Sequence, residues 1–450
     1  MTPQLHETAD PGIIEPAWAW ISPRLGLSVL IAVLTIMCCI SLVVVADYQT
    51  YLVYDSRRLG YAVTAAAAFY LVSLLFVFAR FSFGYFIGLH FYAMVLGFIW
   101  LSSFSKFHYD QKLAAISAAA SALLFLLPAV LINAPVSKVF ALTAQNLERL
   151  LNAILLLALA TIAIASFYNF RLTSLTQIYD FRNELYFPGI VRYLIGIVSG
   201  ALLPFAFACY LTLDRRWRAA SALLLMLLFY PVVLSKLVLF APVWTVAVLI
   251  LSRFLGPRIT TIQLILLPLL FGTILISIFP HKHPAEDIFG LLNIRMFATP
   301  SVALEIYNDF FASHPLTHFC QISILKPLMS CPYQVPLGVI MEKAYALGNF
   351  NASLFATEGV ASVGPYFAPL TAFVCGLVIA VGNRASSGLP PRFILVSAAL
   401  FPHVLMNVPL TTALLTHGVA TLFLLWYIVP REIFQENDGM KTSSPEQAKW

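Results

Sequence analysis

The stretch Gly26-Leu-Ser-Val-Leu-Ile-Ala-Val-Leu-Thr-Ile-Met-Cys-Cys-Ile-Ser-Leu-Val-Val-Val45 decides what kind of protein this chain is. It contains no charged residue and matches the roughly 20 residues that a helix needs to cross a hydrocarbon core. It is too long for the apolar part of a cleaved signal peptide, and the acidic residues Glu7, Asp10 and Glu15 precede it. We therefore expect it to remain as the first membrane-spanning helix.

The rest of the chain repeats this pattern. Of its 450 residues, 60% are hydrophobic and 10% are charged, whereas soluble proteins carry about 25% charged residues. A spanning β-barrel would show alternating segments of about ten residues instead. The sequence thus predicts an all-α polytopic membrane protein with about 12 transmembrane helices. The predicted spans are 26–45, 60–79, 82–104, 113–133, 149–166, 188–211, 217–234, 237–255, 260–279, 361–381, 393–409 and 410–430.

One long interruption divides these spans. We expect a cytoplasmic segment over 1–25, nine helices over 26–279, a large, partly helical loop over 280–360, three helices over 361–430 and a cytoplasmic tail over 431–450. Loops longer than about 15 residues are usually functional or disordered. This loop contains aromatic residues throughout and no low-complexity run, so we expect it to be folded.

The placement of Lys and Arg predicts the orientation, because cytoplasmic connections are enriched in both. With the N-terminus inside, the short outer connections of the second half carry only Lys236, although the first half does not follow the rule. The long loop then lies on the outer face. The net charge of +6 is spread along the chain, which argues against a nucleic-acid partner. The inner basic residues of the second half are Arg215, Arg216, Arg218, Arg253, Arg258, Arg384, Arg392, Arg431, Lys441 and Lys449.

Three basic residues are candidates for binding an anionic group, because ionisable residues near the membrane are costly and often functional. Lys236 is flanked by apolar residues and either snorkels to the interface or faces an anionic headgroup. Arg182 either pairs with Asp180 or Glu184 or is free for a ligand. Arg295 opens an apparently helical segment. Arginine and lysine both bind phosphate oxygens, so the three together suit a pyrophosphate.

The loop histidines have three interpretations. His281 and His283 form a His-x-His pair, and His314 and His318 are four residues apart. Zinc needs three or four ligands, and Pro315 disfavours a regular helix there, so we expect no metal. A general-base role for His314 or His318 is chemically reasonable near neutral pH. The plainest alternative is a set of solvated loop histidines.

Two further features of the loop leave alternatives open. Glu358 lies at the predicted membrane boundary near Asn351, and either accepts a proton from a sugar hydroxyl or interacts with a helix N-terminus. Asn351-Ala-Ser353 also fits the glycosylation sequon. Cys320 and Cys331 form a disulfide if the loop is periplasmic, or are two free thiols.

The chain contains no nucleotide-binding signature. Neither the phosphate-binding loop pattern, nor the dinucleotide-binding glycine pattern, nor Gly-x-Ser-x-Gly is present. An Asp-x-Asp pair that could hold a metal and a sugar nucleotide is absent as well. If the protein is a transferase, we expect a donor that is already activated in the membrane and no cofactor.

Four stretches carry a resemblance to a known family. They are Tyr179-Asp-Phe-Arg182; Ser235-Lys236 with Leu239-Phe-Ala-Pro242; Arg295 to Phe311 with Tyr307, followed by His314-Pro-Leu-Thr317; and Asn351-Ala-Ser-Leu-Phe-Ala-Thr-Glu-Gly-Val-Ala-Ser-Val-Gly364. In these stretches the chain resembles the bacterial oligosaccharide repeat unit polymerases, which make O-antigen and exopolysaccharide in the flippase-dependent pathway. Glu358 stands where that family commonly has an aspartate. The resemblance covers about 179–364.

The resemblance implies a GT-C-like membrane glycosyltransferase of the bacterial inner membrane with its active site facing the periplasm. It implies transfer of a glycan from undecaprenyl pyrophosphate to the end sugar of another lipid-linked repeat unit, without nucleotide or metal. A chain-length regulator is an expected partner beside the lipid bilayer. The implied pyrophosphate ligands are Arg182, Lys236 and Arg295, and the implied acceptor-handling residues are Glu358, Asn351, Tyr307 and His314.

Other functions remain open at this point. An O-antigen ligase would use a similar architecture and donor with a different acceptor. A transporter or flippase of lipid-linked oligosaccharide would need basic residues through most of the depth of its cavity. A structural component of a glycan assembly complex would need none of these residues for chemistry.

Overall fold

The computed structural model describes residues 23–173, 181, 185–280, 282–322 and 324–434, and this part of the chain is helical without a β-strand. Its helices confirm the prediction of an all-α polytopic membrane protein. Ten helices in the described residues are long and apolar enough to span a membrane, and they overlap the first ten predicted spans. The first nine are α1 (Arg24–Ala46), α2 (Ser56–Phe78), α3 (Phe83–Ser102), α4 (Gln111–Leu131), α5 (Ala144–Ser166), α6 (Gly189–Thr212), α7 (Arg216–Val233), α8 (Lys236–Phe254) and α9 (Pro257–Ile278).

A long helical segment follows α9. It comprises α10 (His283–Phe289), a π-helical stretch (Gly290–Ala298) and α11 (Thr299–Ser313). A short helix, α12 (Leu337–Tyr345), lies further along the loop. The tenth candidate span is α13 (Phe355–Ser386).

The last two predicted spans are instead four short helices. None of the four is long enough to count as a span by itself. Prolines at the starts of these helices and Gly418, with a φ of 79°, interrupt the run. Proline lacks the N–H that a continuing helix needs. They are α14 (Pro391–Ser397), α15 (Phe401–Asn407), α16 (Leu410–Leu415) and α17 (Val419–Ile428).

Helix α3 forms the centre of the bundle. All of its residues are buried, and α1, α2, α4, α9, α11, α13 and α15 pack around it. Small residues allow the closest helix pairing, between α4 and α13. A Cβ atom added at Gly376 would lie 2.3 Å from the Phe125 carbonyl oxygen, so the two backbones nearly touch.

The helical segment from α10 to α11 packs into the bundle. The Asn293 amide lies within 2.9 Å of the Ser41 and Thr273 hydroxyls. Further on, the Ser301 hydroxyl donates to the Met94 carbonyl oxygen at 2.8 Å. These contacts hold α11 against α3 and direct its C-terminal end towards the connection between α3 and α4.

Candidate functional site

The structure brings the end of α11 against the chain that enters α13. Tyr307 is fully buried, and its hydroxyl donates to the Phe350 carbonyl oxygen at 3.3 Å. Burial, and then the negative charge of Glu358, raise the pKa of Tyr307 above its usual range. Two of the predicted acceptor-handling residues, Tyr307 and Glu358, therefore lie in the same region.

The start of α13 is not a regular α-helix. Residues Phe355–Ala361 form a π-helix, and Gly364 adopts a φ of 75° and a ψ of 172°, which breaks the helix. Such a break leaves backbone carbonyl groups that need partners. The loop after α11 supplies them, because the Thr317 N–H donates to the Ala361 carbonyl at 2.8 Å and the His318 N–H donates to the Ser362 carbonyl at 3.2 Å. We call the end of α11, residues 314–318 and residues 350–364 the α11–α13 site.

Glu358 is enclosed within this site. Its side chain is only 7% exposed. The Thr357 hydroxyl donates to Oε2 at 2.6 Å, and the Thr411 N–H donates to Oε1 at 3.3 Å. Thr411 lies in the first turn of α16, where unpaired N–H groups favour a carboxylate. Glu358 also lies in the first turn of the π-helical stretch Phe355–Ala361. Both interpretations of Glu358, contact with a sugar hydroxyl and interaction with a helix N-terminus, stay predictions.

His314 and Asn351 lie on the exposed side of the site. The His314 ring stacks on Phe310 with centroids 3.9 Å apart, and its Nδ1 lies 2.8 Å from the Phe310 carbonyl oxygen. A carbonyl can only accept, so the neutral ring carries its hydrogen on Nδ1 and leaves Nε2 as a proton acceptor. The Asn351 side chain lies over Gly338 at the start of α12, where an added Cβ would be 2.6 Å from Asn351 Oδ1.

Lys236 occupies a second region. It is the first residue of α8 and follows Leu234, whose φ of 49° turns the chain. Arg182 lies outside the described residues. Its neighbour Phe181 packs against the small cluster of Tyr230 and Leu234, and the Arg171 guanidinium lies 5.0 Å from the Phe181 ring centroid. Phe181 and the start of α8 therefore pack on the same small apolar cluster. A joint site of Lys236 with Arg182 stays a prediction.

Arg295 lies far from Tyr307, which is the most buried of the predicted residues in the α11–α13 site. It is exposed in the π-helical stretch, twelve positions before Tyr307 on one helical segment. At about 1.5 Å per residue, this spacing puts roughly 18 Å between the two positions along the helix axis. A joint pyrophosphate site of Arg295 with Lys236 and Arg182 stays a prediction.

The loop between α11 and α12 is closed by a disulfide between Cys320 and Cys331, whose Cα atoms lie 5.4 Å apart. This outcome decides between the two interpretations of these cysteines. The Gln321 side chain donates to the Tyr333 carbonyl at 3.1 Å, and the Tyr333 hydroxyl donates to the Pro315 carbonyl at 2.7 Å. The disulfide-closed loop is thus fastened to the rim of the α11–α13 site, next to His314.

Sequence reasoning missed Glu305, which lies one turn before Asp309 on α11. Glu305 is fully buried, and neither of its carboxyl oxygens has a hydrogen-bond partner in the structure. Burial raises its pKa to about 8, and the negative charge of Asp309 adds to this shift. Asp309 itself accepts from the His108 N–H at 2.7 Å and from the Tyr345 hydroxyl at 2.6 Å. The sequence does contain a sign of this residue, because Glu305 is an acidic residue within an apolar stretch of helical periodicity.

The loop histidines do not gather into a metal site within the described residues, where no three side chains of His, Cys, Asp or Glu are grouped to hold a metal ion. His283 Nδ1 lies 3.0 Å from Asp287 Oδ2 at the exposed start of α10. His318 is also exposed and adopts a positive φ of 47°. His281 lies outside the described residues.

The fold and these contacts define the protein as an all-α, multi-pass membrane protein with an ordered site beside an interrupted helix. No protein-family model, curated protein or solved structure matches the chain. Any function more specific than this must be argued from its own residues.

Proposed function

We propose that this protein polymerises oligosaccharide repeat units linked to undecaprenyl pyrophosphate, at the periplasmic face of a bacterial inner membrane. The proposal rests on the family resemblance of residues 179–364. One observation supports it above the others: two of the four resembling stretches, which are separated by about thirty residues, meet in space at the α11–α13 site, where the Thr317 N–H donates to the Ala361 carbonyl oxygen at 2.8 Å.

The reaction needs two kinds of group. The anomeric carbon of the donor glycan loses its bond to the pyrophosphate oxygen and gains a bond to the acceptor hydroxyl oxygen. Undecaprenyl pyrophosphate leaves as an anion that cations stabilise, and the hydroxyl proton passes to a base. No oxidant, nucleotide or further co-reactant is required for this balance.

We propose different roles for the exposed and the buried residues among those predicted. His314 and Asn351 are exposed at the rim, so they contact the acceptor sugar, with His314 Nε2 as the proton acceptor. Tyr307 and Glu358 are buried and hydrogen-bonded, so they act as positioning residues that hold the broken start of α13. Lys236, with Arg182 and Arg295, meets the leaving pyrophosphate.

The disulfide supports the proposed orientation. Disulfides persist in oxidising compartments such as the periplasm and are rare in the cytosol. The Cys320–Cys331 bond therefore favours placing the loop on the outer face, in agreement with the Lys and Arg distribution of the second half of the chain.

Surface glycan patterns test the proposal in a strain lacking the gene. A missing polymerase leaves single repeat units on the final acceptor. A missing ligase leaves finished polymer on the carrier lipid, and a missing flippase leaves repeat units on the inner face. Either of the last two patterns would replace the proposed function with the corresponding alternative.

Complementation with variants tests the charged residues. We expect Lys236→Ala and Arg295→Ala to shorten or abolish the polymer ladder while the protein remains in the membrane. Arg216→Ala is a matched control. Arg216 begins α7, whereas Lys236 follows the other end of this helix, and its side chain is 85% exposed and pairs only with its neighbour Asp214 among the contacts described. Full-length polymer with both Lys236→Ala and Arg295→Ala would refute the pyrophosphate role.

A further inference from the structure

The disulfide-closed loop between α11 and α12 exposes apolar side chains at its tip. Ile324 is 69% exposed, Leu328 is 79% exposed and Met329 is 39% exposed. We call residues 324–329 the loop tip. Several exposed apolar groups close together mark a contact with a membrane or a partner molecule, because burying them away from water is favourable. The loop tip is therefore a contact surface, and it shares no residue with the α11–α13 site.

The loop tip is ordered, so its exposure belongs to the folded shape of the loop. The Leu325 and Lys326 N–H groups both donate to the Ile322 carbonyl oxygen at 2.9 Å, and the Leu328 N–H donates to the Leu325 carbonyl oxygen at 2.9 Å. These turns lie between the two cysteines of the loop disulfide, which closes the chain around them. The exposed apolar groups are thus carried by a backbone that hydrogen bonds and a covalent closure hold in place.

The charge of the loop favours a lipid surface as the partner. From Phe319 to Pro336 the only charged residue in the sequence is Lys326, which is exposed in the loop tip. Acidic residues, which an anionic membrane surface would repel, do not occur in this stretch. A lysine among apolar side chains suits an interface, because its ammonium group stays among the lipid headgroups while the apolar groups enter the lipid.

The base of the loop lies next to the exposed apolar surface of α13. Residues 317–318 are hydrogen-bonded to residues 361–362. Only four residues further along, Tyr366 is 76% exposed and Phe367 is 65% exposed, and aromatic residues are enriched where a span crosses the membrane–water interface. Ile324 follows residue 318 by six positions, so the two lie at most about 22 Å apart. The loop tip is therefore within reach of the bilayer that surrounds α13.

We propose that the loop tip is a lipid-binding surface, which inserts Ile324, Leu328 and Met329 into the bilayer interface beside α13 and places Lys326 among anionic headgroups. The bilayer then holds one side of the loop, while the Tyr333 hydroxyl fastens the other side to the rim of the α11–α13 site. This inference does not depend on the proposed polymerase function. A second copy of this chain is the alternative occupant, and the experiment below separates the two.

Photo-crosslinking to lipid tests the surface. The intact protein, with p-benzoylphenylalanine in place of Ile324 or of Leu328, is reconstituted into vesicles of phosphatidylethanolamine and phosphatidylglycerol, irradiated and analysed by intact-mass spectrometry. The same probe in place of Phe367 on α13 is the positive control, and in place of Lys343, which is exposed on α12, it is the matched control in the same connection. We expect lipid adducts at the loop tip in a yield close to that at Phe367, and a much lower yield at Lys343.

A charge variant tests the headgroup contact without disturbing the fold. With the probe at Leu328, Lys326→Gln should lower the yield of lipid adducts by up to about fivefold, which corresponds to the roughly 1 kcal/mol that one lysine contributes near an anionic membrane surface. Lys343→Gln should leave the yield unchanged, and in vesicles of phosphatidylcholine alone neither substitution should matter. Loop-tip probes that crosslink to a second copy of the chain, that give no adduct while Phe367 does, or that react no more than Lys343 would overturn the proposal.

Discussion

The buried carboxyl group of Glu305 gives the sharpest prediction about stability. Its pKa is raised to about 8 from an ordinary value of 4.5, chiefly by burial. Between these two values the folded protein keeps a proton that the unfolded chain has released, so the free energy of unfolding falls as pH rises. At about 1.4 kcal/mol per pKa unit, the loss at pH 7 is on the order of 3 kcal/mol.

The substitution Glu305→Gln removes this effect, because glutamine has nearly the same shape and does not ionise. The variant and the natural protein should be similarly stable at pH 5. As the pH rises to 8, the natural protein should lose stability while the variant does not. The free energy of unfolding of the variant should then exceed that of the natural protein by on the order of 3–5 kcal/mol. A change of 1 kcal/mol shifts the melting temperature of a 150–250-residue protein by about 2–4 °C, so several degrees are expected here even though this chain is longer.

The assay is thermal unfolding in detergent between pH 5 and 8.5. The quantity compared is the slope of melting temperature against pH for the variant and for the natural protein. Asp287→Asn is a suitable control, since the Asp287 side chain is 62% exposed and pairs with His283 at the protein surface. Parallel pH profiles for Glu305→Gln and the natural protein would refute the reasoning and would mean that Glu305 is hydrated or paired when charged.

Two other predictions concern the rim of the α11–α13 site. Gly364→Ala should destabilise the protein by about 1–3 kcal/mol, because a φ of 75° with a ψ of 172° is open almost only to glycine; Gly60→Ala, at an uncrowded position in α2, should be neutral or stabilising. Melting temperatures compare the two, and equal effects would contradict the backbone argument. Replacing Cys320 and Cys331 by serine removes a bond across a separation of 11 residues, which should cost about 3 kcal/mol locally and speed proteolysis of the loop. Cys39→Ala, which removes a free thiol, is the control, and unchanged proteolysis would contradict this role.

The sequence predicted the first ten spans because hydropathy over about 20 residues is a local property. It could not predict that the last two apolar runs break into four helices, since an apolar run interrupted by Pro402 and Pro409 is compatible with either outcome. The sequence predicts an apparently helical segment from Met296 to Phe311, and the structure has a helix over residues 299–313 that continues the π-helical stretch before it. Its burial against α3, which depends on pairs such as Ser301 with Met94, is a tertiary contact that the local pattern does not contain.

The candidate site shows the same limit at the level of single residues. The sequence could nominate Tyr307, Glu358 and Asn351 as polar residues in an ordered loop. Which of them is exposed depends on the pairing of Thr317 with Ala361 and on the position of Thr411, both distant in the chain. Glu305 could have been found, because an acid inside an apolar helical run is unusual without a partner or a raised pKa.

The interrupted start of α13 explains why a site can exist at this place. In an uninterrupted helix the carbonyl groups of the first turns would accept from N–H groups four residues further along the same helix and would not be open to a loop. The π-helical turn and the break at Gly364 instead leave carbonyls that Thr317 and His318 pair with, so the loop after α11 is held by backbone hydrogen bonds that do not depend on side-chain identity. Side chains at the rim, His314 among them, are therefore not needed to hold this frame in place.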